Sequence, residues 1–326
     1  MSFIAATDTS GNLPTGLVRE RDLKIIPFAY FIDGERFTCT DTDAFDGDAF
    51  YALLKNTAVT TTQINPQEYA DFFEPFVKDG HDVIYVSMSS GISGSYQSAR
   101  IGAEMLTDRY PDRIIEVVDT HGAALGEGLV AVEAARLRDE GVETQEAAKR
   151  LRLLSERMFN VFTVNDLMFL RRGGRLSNLS AIVGTVLGIK PILKGGEDGK
   201  ISAFDTVRSR KRSIKALASQ YEQYVVNAEA QTIGIAHAAC REDAEMLIEL
   251  INGGEHPPKE IMLVDYEPVT GSHVGPGALA LFFESCEGVR SVKGLDVIPD
   301  KVKAFFENAR EKIAIRKQPL QGSAQI

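Results

Sequence analysis

The chain has few of the residues that build metal centres and disulfide frameworks. It contains no tryptophan and only three cysteines in 326 residues. Cys39, Cys240 and Cys286 lie far apart, and their spacing is not that of a zinc site. We therefore predict free, buried thiols and no disulfide framework. Since the sequence carries no other metal-binding motif, we also predict no metal site.

Long apolar runs and an excess of basic residues are also missing. No segment approaches the roughly 20 apolar residues of a membrane-spanning helix, and the first residues lack the pattern of a secretion signal. The 46 acidic residues outnumber the 36 basic ones, for a formal net charge of -10. This charge disfavours nucleic acid and anionic membranes. We predict a cytoplasmic protein with no nucleic-acid partner and no stable membrane insertion.

The remaining pattern is that of an α/β protein with two domains. Strand-length apolar runs alternate with helical patterns through the first half, at 3–7, 25–32, 82–88 and 113–119. This alternation predicts a mostly parallel, doubly wound sheet, with a hairpin at Asp33-Gly34. We place this N-terminal domain at residues 1–156. Its last elements are two helical patterns, at 123–139 and 143–156.

The second half mixes strands and helices and predicts an α+β domain over residues 157–285, with a mixed or antiparallel sheet. Its predicted strands lie at 159–165, 190–194, 200–207, 232–238 and 260–266. Its predicted helices lie near 177–188, 209–225 and 241–252, with another in the apolar segment from Leu279. Residues 286–326 form a C-terminal extension, and we expect its tail to be disordered.

A turn rich in serine and glycine follows the apolar strand at 82–88. This turn leads into a predicted helix. Hydroxyls and free backbone N–H groups therefore meet at the positive N-terminal end of that helix, where an anion binds favourably. The candidate ligands are Ser89, Ser90, Gly91, Ser93, Gly94 and Ser95. An ordinary polar turn explains the same residues. No P-loop lysine follows, and Ser95 replaces the last glycine of a nucleophile elbow.

Two further segments carry polar groups suited to a ligand. Thr60, Thr61 and Thr62 precede a helix that Asn65 caps, and hydroxyls can hold a carboxyl group without charge. His273 lies in a glycine-rich stretch, where it can donate to an anion, act as a general base, or be a structural histidine. One face of the capped helix is aromatic and consists of Tyr69, Phe72, Phe73 and Phe76. Such a face can pack into the core or line a pocket.

Basic residues cluster twice in this acidic chain, at 171–175 and 208–212. Such runs are commonly solvated surface. Against the net negative charge, they also suit a phosphate or an acidic partner. The sequence alone leaves both interpretations open.

Taken in order, these segments resemble the DegV family over nearly the whole chain, to about residue 285. The matching segments are Asp8-Thr9-Ser10, Thr61-Thr62-Gln63, Ser89 to Tyr96, Val118-Asp119-Thr120, LRRGGRLSN at 170–178, GIKPIL at 188–193, Arg208, and His273 to Gly277. The resemblance implies a two-domain protein that encloses a long-chain fatty acid in an apolar tunnel. It also implies a non-catalytic subunit that presents the acid to an ATP-dependent fatty acid kinase for acyl-phosphate formation.

The resemblance further implies roles for individual residues. Thr61, Thr62 and Ser93 would bind the carboxyl group, with His273 beside it and Ser90 and Gly94 in the same turn. Arg208 would assist with the phosphate. The kinase would meet Arg172 and Arg175. No cofactor is implied beyond the bound fatty acid.

Physical chemistry favours neutral donors at such a head-group site, because an ionised carboxylate buried without a cation is costly. The acyl chain itself would supply most of the affinity, at about 0.8 kcal/mol per buried CH₂. Two alternatives remain open. One is a serine hydrolase or acyltransferase with Ser93 as nucleophile, His273 as base, and Asp8 or Asp119 orienting the base. The other is a binding module for a different anion, without a tunnel.

Overall fold

The computed structural model describes residues 3–176 and 189–292. The first half builds a four-stranded parallel sheet in the order β2-β1-β6-β7. Its strands are β1 (Phe3–Asp8), β2 (Lys24–Ile26), β6 (Asp82–Ser87) and β7 (Ile115–Asp119). The prediction of a mostly parallel N-terminal sheet is confirmed. The helix predicted at 177–188 and residues 293–326 of the extension, including its expected disordered tail, lie outside the described residues.

A second, antiparallel sheet of three strands lies beside the first. It contains β3 (Ala29–Ile32), β4 (Glu35–Thr38) and β5 (Val59–Thr62), in the order β4-β3-β5. The hairpin predicted at Asp33-Gly34 joins β3 to β4, and both turn residues have positive φ, at 50° and 87°. This sheet carries the threonine run on β5, which pairs with β3.

The single strand predicted at 25–32 is wrong, because the chain leaves one sheet and enters another within it. Pro27 has no N–H to donate to a strand ladder. The N–H of Phe28 donates instead to Thr9 Oγ1, at 3.0 Å. Strand β2 therefore ends at Ile26, and β3 begins at Ala29.

The second half builds a mixed sheet, as predicted, and this sheet has six strands in the order β10-β9-β8-β13-β11-β12. All neighbouring pairs are antiparallel except β11 and β12. Its strands are β8 (Met158–Thr163), β9 (Ile189–Gly195), β10 (Ile201–Arg208), β11 (Thr232–His237), β12 (Glu260–Asp265) and β13 (Leu279–Glu284).

The helix predicted from Leu279 is wrong, because this segment is the central strand β13. Leu279, Leu281 and Phe283 pack into one apolar cluster, and Ala280 and Phe282 pack into another on the opposite face. A strand buried on both faces is apolar at every position, so it lacks the alternation that separates strands from helices.

Ten helices cover the sheets in the described residues. They are α1 (Thr15–Glu20), α2 (Gly47–Leu53), α3 (Pro66–Lys78), α4 (Ser95–Thr107), α5 (Leu125–Asp139), α6 (Thr144–Arg157), α7 (Met168–Arg172), α8 (Arg210–Tyr224), α9 (Arg241–Asn252) and α10 (Pro268–Val274). Within the described ranges, no helix combines the length and apolar character that crossing a membrane requires.

Helix α3 begins as the sequence predicts. Asn65 and Glu68 form a reciprocal capping box, and Pro66 occupies the first turn. Tyr69 and Phe73 on its aromatic face are fully buried in the core against β6. The helix continues past Pro75 to Lys78.

Helix α5 lies between the parallel sheet and the mixed sheet and contacts strands of both. Its small residues permit this close approach. A Cβ on Gly128 would lie 2.2 Å from the carbonyl oxygen of Gly11, on the side of the parallel sheet. A Cβ on Gly126 would lie 3.1 Å from Phe282 of β13, on the other side. One apolar cluster therefore joins the two sheets, and the domain limits at 156 and 285 stay predictions.

The three cysteines are free, but they are less buried than the sequence suggested. Cys39 and Cys240 are half-buried, and Cys286 is exposed.

Candidate functional site

A cavity opens where the parallel sheet, the small antiparallel sheet and the mixed sheet meet. The space between its walls is about 860 Å³, a volume that includes the open mouth. Most of its wall is apolar. The largest apolar side chains in that wall are Phe28, Met88, Phe162, Leu170, Tyr266 and Phe282. An apolar molecule would leave water on entering this space.

A polar group lies on one part of the wall, where β5 meets α10. Thr61 Oγ1 and His273 Nε2 are 2.9 Å apart and form a hydrogen bond. Side chains alternate along β5, and Thr61 is on its inward side. Thr61 is therefore half-buried, whereas Thr62 is exposed. Both threonines and His273 line the cavity.

Ser93 lines the same cavity from the turn between β6 and α4. Its hydroxyl donates to Ser95 Oγ at 3.0 Å, and it accepts the N–H of Ser95, which begins α4, at 3.2 Å. Gly94 does not line the cavity, but it lets the threonine run approach the serine turn. A Cβ on Gly94 would lie only 2.1 Å from Gln63 Oε1. The hydroxyl-bearing segments near residues 61 and 93 therefore converge on one cavity.

His273 is held in place by its helix and by a glycine. Glu267 caps α10 by accepting from the N–H groups of Val269 and Thr270. Opposite the ring, a Cβ on Gly173 would lie 2.3 Å from His273 Nδ1. Burial, together with the positive charge of Arg175, lowers the pKa of His273 from 6.5 to about 4. The imidazole is therefore neutral at physiological pH and serves as a hydrogen-bonding group.

Arg175 lies in the cavity wall, although the sequence analysis assigned it to a partner surface. Its Nε donates to the carbonyl oxygen of Ile92, the residue before Ser93, at 3.1 Å. The cavity wall thus includes a cation, which the expectation of neutral donors alone did not include. A carboxylate there would gain a charge-assisted partner.

Other predicted residues do not line the cavity. Ser90 is exposed, and its N–H donates to Asp119 Oδ1 at 3.2 Å. Arg208 is exposed at the end of β10. Arg172 is exposed, with its guanidinium 5.7 Å from the ring centre of Phe169. Their roles toward ligand, phosphate and partner stay predictions.

Polar residues of the cavity wall that were not among the predicted site residues include His121, Asn160 and Thr270. His121 Nε2 lies 3.2 Å from Asp119 Oδ2. Asn160 lies within the apolar strand β8, and its side chain is buried. A single amide among apolar strand residues could have indicated Asn160 as a candidate ligand residue, because buried polar groups need hydrogen-bond partners.

The geometry offers Ser93 no catalytic triad in the described part of the chain. The Ser93 hydroxyl donates to Ser95, and the partner of His273 is Thr61. Neither predicted orienting carboxylate bonds to His273, since Asp8 binds Ser10 and Tyr85, and Asp119 binds His121. In the same ranges, no three His, Cys, Asp or Glu side chains group as a metal site would require.

Comparison with known proteins identifies the family. The family model described as "Uncharacterised protein, DegV family" matches residues 4–285. A DegV domain-containing protein of Clostridium perfringens is 36% identical over 282 residues, covering 86% of this chain and 97% of that protein.

Two solved structures share the fold along their length. The fatty-acid-binding DegV family protein of Thermus thermophilus has a TM-score of 0.79 at 25% identity, covering 88% of this chain and 100% of that chain. DegV of Bacillus subtilis, a fatty acid binding protein, has a TM-score of 0.75 at 28% identity, covering 86% and 98%. The resemblance found in the sequence is thereby confirmed, and this chain belongs to the DegV family.

Proposed function

We propose that this protein binds a long-chain fatty acid, with its acyl chain in the cavity and its carboxyl group between Thr61, Thr62 and Ser93. The observation that carries the proposal is the convergence of the two hydroxyl-bearing segments on one apolar cavity. The fatty-acid-binding relatives of Thermus thermophilus and Bacillus subtilis support the class of ligand.

The apolar wall and the polar head-group site contribute differently to binding. Each methylene that leaves water contributes about 0.8 kcal/mol, so the apolar wall supplies most of the affinity. When the acid binds, the Ser93 O–H would turn from Ser95 Oγ to one carboxyl oxygen and the Thr61 O–H would donate to the carboxyl group as well, with neutral His273 as a further donor or acceptor. Arg175 offsets the negative charge of the carboxylate beside Ser93. The head group is thus oriented, while the chain is enclosed.

The experiment measures fatty-acid affinity in delipidated wild-type protein and in the variants Ser93→Ala and Thr61→Val. Loss of a hydrogen bond to a charged group costs about 1.5–3 kcal/mol, so we expect each variant to bind at least about tenfold more weakly. Ser219→Ala, exposed on α8 and outside the cavity wall, is the matched control. Unchanged affinity in both cavity variants would show that the head group lies elsewhere.

A fluorophosphonate probe tests the hydrolase alternative on the same samples. The carrier proposal expects no covalent labelling, because the Ser93 hydroxyl donates to Ser95 Oγ and bonds to no base in the part of the chain that the structure describes. Stoichiometric labelling of Ser93 would instead support the enzyme.

We also propose that the loaded protein acts in the cytoplasm, without catalysing a reaction itself, and presents its fatty acid to an ATP-dependent fatty acid kinase. Exposed Thr62 at the cavity and exposed Arg171 and Arg172 on nearby α7 would leave the acid group and a basic surface accessible to that partner. Incubation with a bacterial fatty acid kinase subunit and ATP, with hydroxylamine trapping, should yield the fatty hydroxamate. Absence of the hydroxamate would contradict the kinase partner but leave lipid binding untouched.

A further inference from the structure

Asn160 is the one amide side chain in β8, whose other residues are apolar apart from Thr163 at its end. Side chains alternate along the strand, so Asn160 shares a face with Met158 and Phe162, which pack into the cluster that joins the sheets. Phe159 and Val161 pack into the cluster on the other face. The side chain therefore points toward α5, and it forms part of the cavity wall.

The amide of Asn160 has no hydrogen-bond partner in the part of the chain that the structure describes. Asn160 is only 6% exposed, and both Nδ2 and Oδ1 are unpartnered. A buried amide left in this state is unfavourable, and most buried polar atoms in proteins are satisfied. A buried donor and a buried acceptor therefore belong to a residue of the cavity wall and have no partner among the described residues.

Glycines shape the space around this amide. A Cβ on Gly126 would lie 2.0 Å from Oδ1, and one on Gly122 would lie 2.6 Å from Nδ2. Any larger residue at either position would push the amide aside. The amide is thus closely confined on this side, by residues of α5 and of the loop before it.

The amide is separate from the head-group site. The head-group site is built by Thr61 and Ser93, with His273, on β5, α10 and the turn before α4. The Asn160 amide lies against Gly122, in the loop before α5, and Gly126, at the start of α5, and in the described ranges it bonds to none of the head-group residues. The Asn160 amide is therefore a polar position of the mostly apolar cavity wall that is distinct from the head-group site.

We propose that Asn160 hydrogen-bonds an oxygen carried on the acyl chain, so that the preferred ligand is a hydroxylated long-chain fatty acid. This inference rests on the proposed fatty-acid function. A hydroxyl both donates and accepts, so it can satisfy either atom of the amide. An unsubstituted chain packed against the amide would leave both atoms unpaired, and the cavity would discriminate against it.

The test compares the affinity of delipidated protein for octadecanoic acid and for its hydroxylated analogues. The analogues carry the hydroxyl near the carboxyl group, at mid-chain, or near the methyl end. The wild type should bind at least one analogue about fivefold to tenfold more tightly than octadecanoic acid, as expected for one buried hydrogen bond. Asn160→Leu should lose this preference while still binding octadecanoic acid.

Thr163→Val is the matched control variant. Thr163 is also buried on β8, and its hydroxyl has no partner among the residues that the structure describes, but it lies on the opposite face and outside the cavity wall. This variant should keep the wild-type preference. Retention of octadecanoic acid by Asn160→Leu also shows that the variant is folded.

The outcomes separate this inference from the proposed function. If the wild type binds octadecanoic acid but favours no hydroxylated analogue, or if Asn160→Leu keeps the preference, the role of Asn160 is overturned. If neither kind of acid binds, the fatty-acid function itself fails.

Discussion

His273 combines burial with a positive neighbour, and the two effects act in the same direction. Burial and the positive charge of Arg175 both disfavour a protonated imidazole, so the pKa of His273 in the folded protein is lowered from 6.5 to about 4. Below pH 6.5, the unfolded chain takes up a proton that the folded chain does not. The stabilising contribution is therefore complete above pH 6.5, and it is lost as the pH falls toward 4.

We predict that the delipidated wild type loses about 2 kcal/mol of unfolding free energy at this residue between pH 7 and pH 5. His273→Gln, which cannot take up a proton, should lose correspondingly less over the same range. Urea unfolding at the two pH values measures the difference. His81→Gln, at an exposed histidine, is the control. Equal acid sensitivity of His273→Gln and the wild type would contradict a buried, neutral His273.

Some site residues could be predicted from the sequence, and the orientation of others could not. Thr61, Ser93 and His273 were selected because hydroxyls and an imidazole near glycine-rich turns suit an anion, and the structure brings them to one cavity. Arg175 was assigned to a surface because a basic run gives no sign of which side chain turns inward. Its position depends on the carbonyl of Ile92, more than 80 residues away in sequence.

The serine turn lies against the hairpin between β9 and β10, and this contact joins the N-terminal and C-terminal halves. Ser89 Oγ donates to the carbonyl oxygen of Gly199 at 2.7 Å. A Cβ on Gly91 would lie 2.4 Å from the carbonyl carbon of Gly199, so the backbones themselves are in contact. The position of Ser93 therefore depends on the absence of a side chain at residue 91.

We predict that Gly91→Ala forces the turn away from the hairpin and weakens fatty-acid binding by about tenfold or more, with a loss of stability of about 1–3 kcal/mol. Isothermal titration and urea unfolding measure the two effects. Gly16→Ala is the control, because the nearest atom to its new Cβ would be 3.9 Å away. Wild-type affinity in Gly91→Ala would show that the hairpin does not position the turn.

Elements were predictable where a local signal determines them. The capping box at Asn65 and the turn at Asp33-Gly34 are written in adjacent residues, and both are present. Strand β13 was missed because burial on both faces removes its periodicity. The break between β2 and β3 had a local signal in Pro27, which has no N–H for a strand ladder, but the partner that replaces the ladder at Phe28 is Thr9 of another segment.

In the whole molecule, the cavity joins the two halves of the chain. The hydrogen bonds from Thr61 to His273 and from Arg175 to Ile92 each link residues before position 100 to residues after position 170. The parallel and mixed sheets could be predicted from their patterns of strands and helices. The cavity between them could not, because no local sequence signal specifies which faces of two sheets leave a gap.

We predict that loading stabilises the whole chain, since a ligand that binds only the folded state raises the unfolding free energy. With free fatty acid about a hundredfold above its dissociation constant, the gain is about 2.7 kcal/mol. Urea unfolding of delipidated and reloaded protein measures it. A short-chain acid, which has the same head group and little chain, should stabilise far less. Equal stability with and without a long-chain acid would contradict enclosure of the chain.

The position of the carboxyl group in a crystal structure of the protein with a bound fatty acid tests the central claim most directly. The carboxyl oxygens should lie within hydrogen-bonding distance of Thr61 Oγ1 and Ser93 Oγ, with the acyl chain following the apolar wall past Phe162 and Phe282. A chain bound in the reverse direction, with its carboxyl group beside Asn160, or a fatty acid bound outside the cavity, would contradict the account.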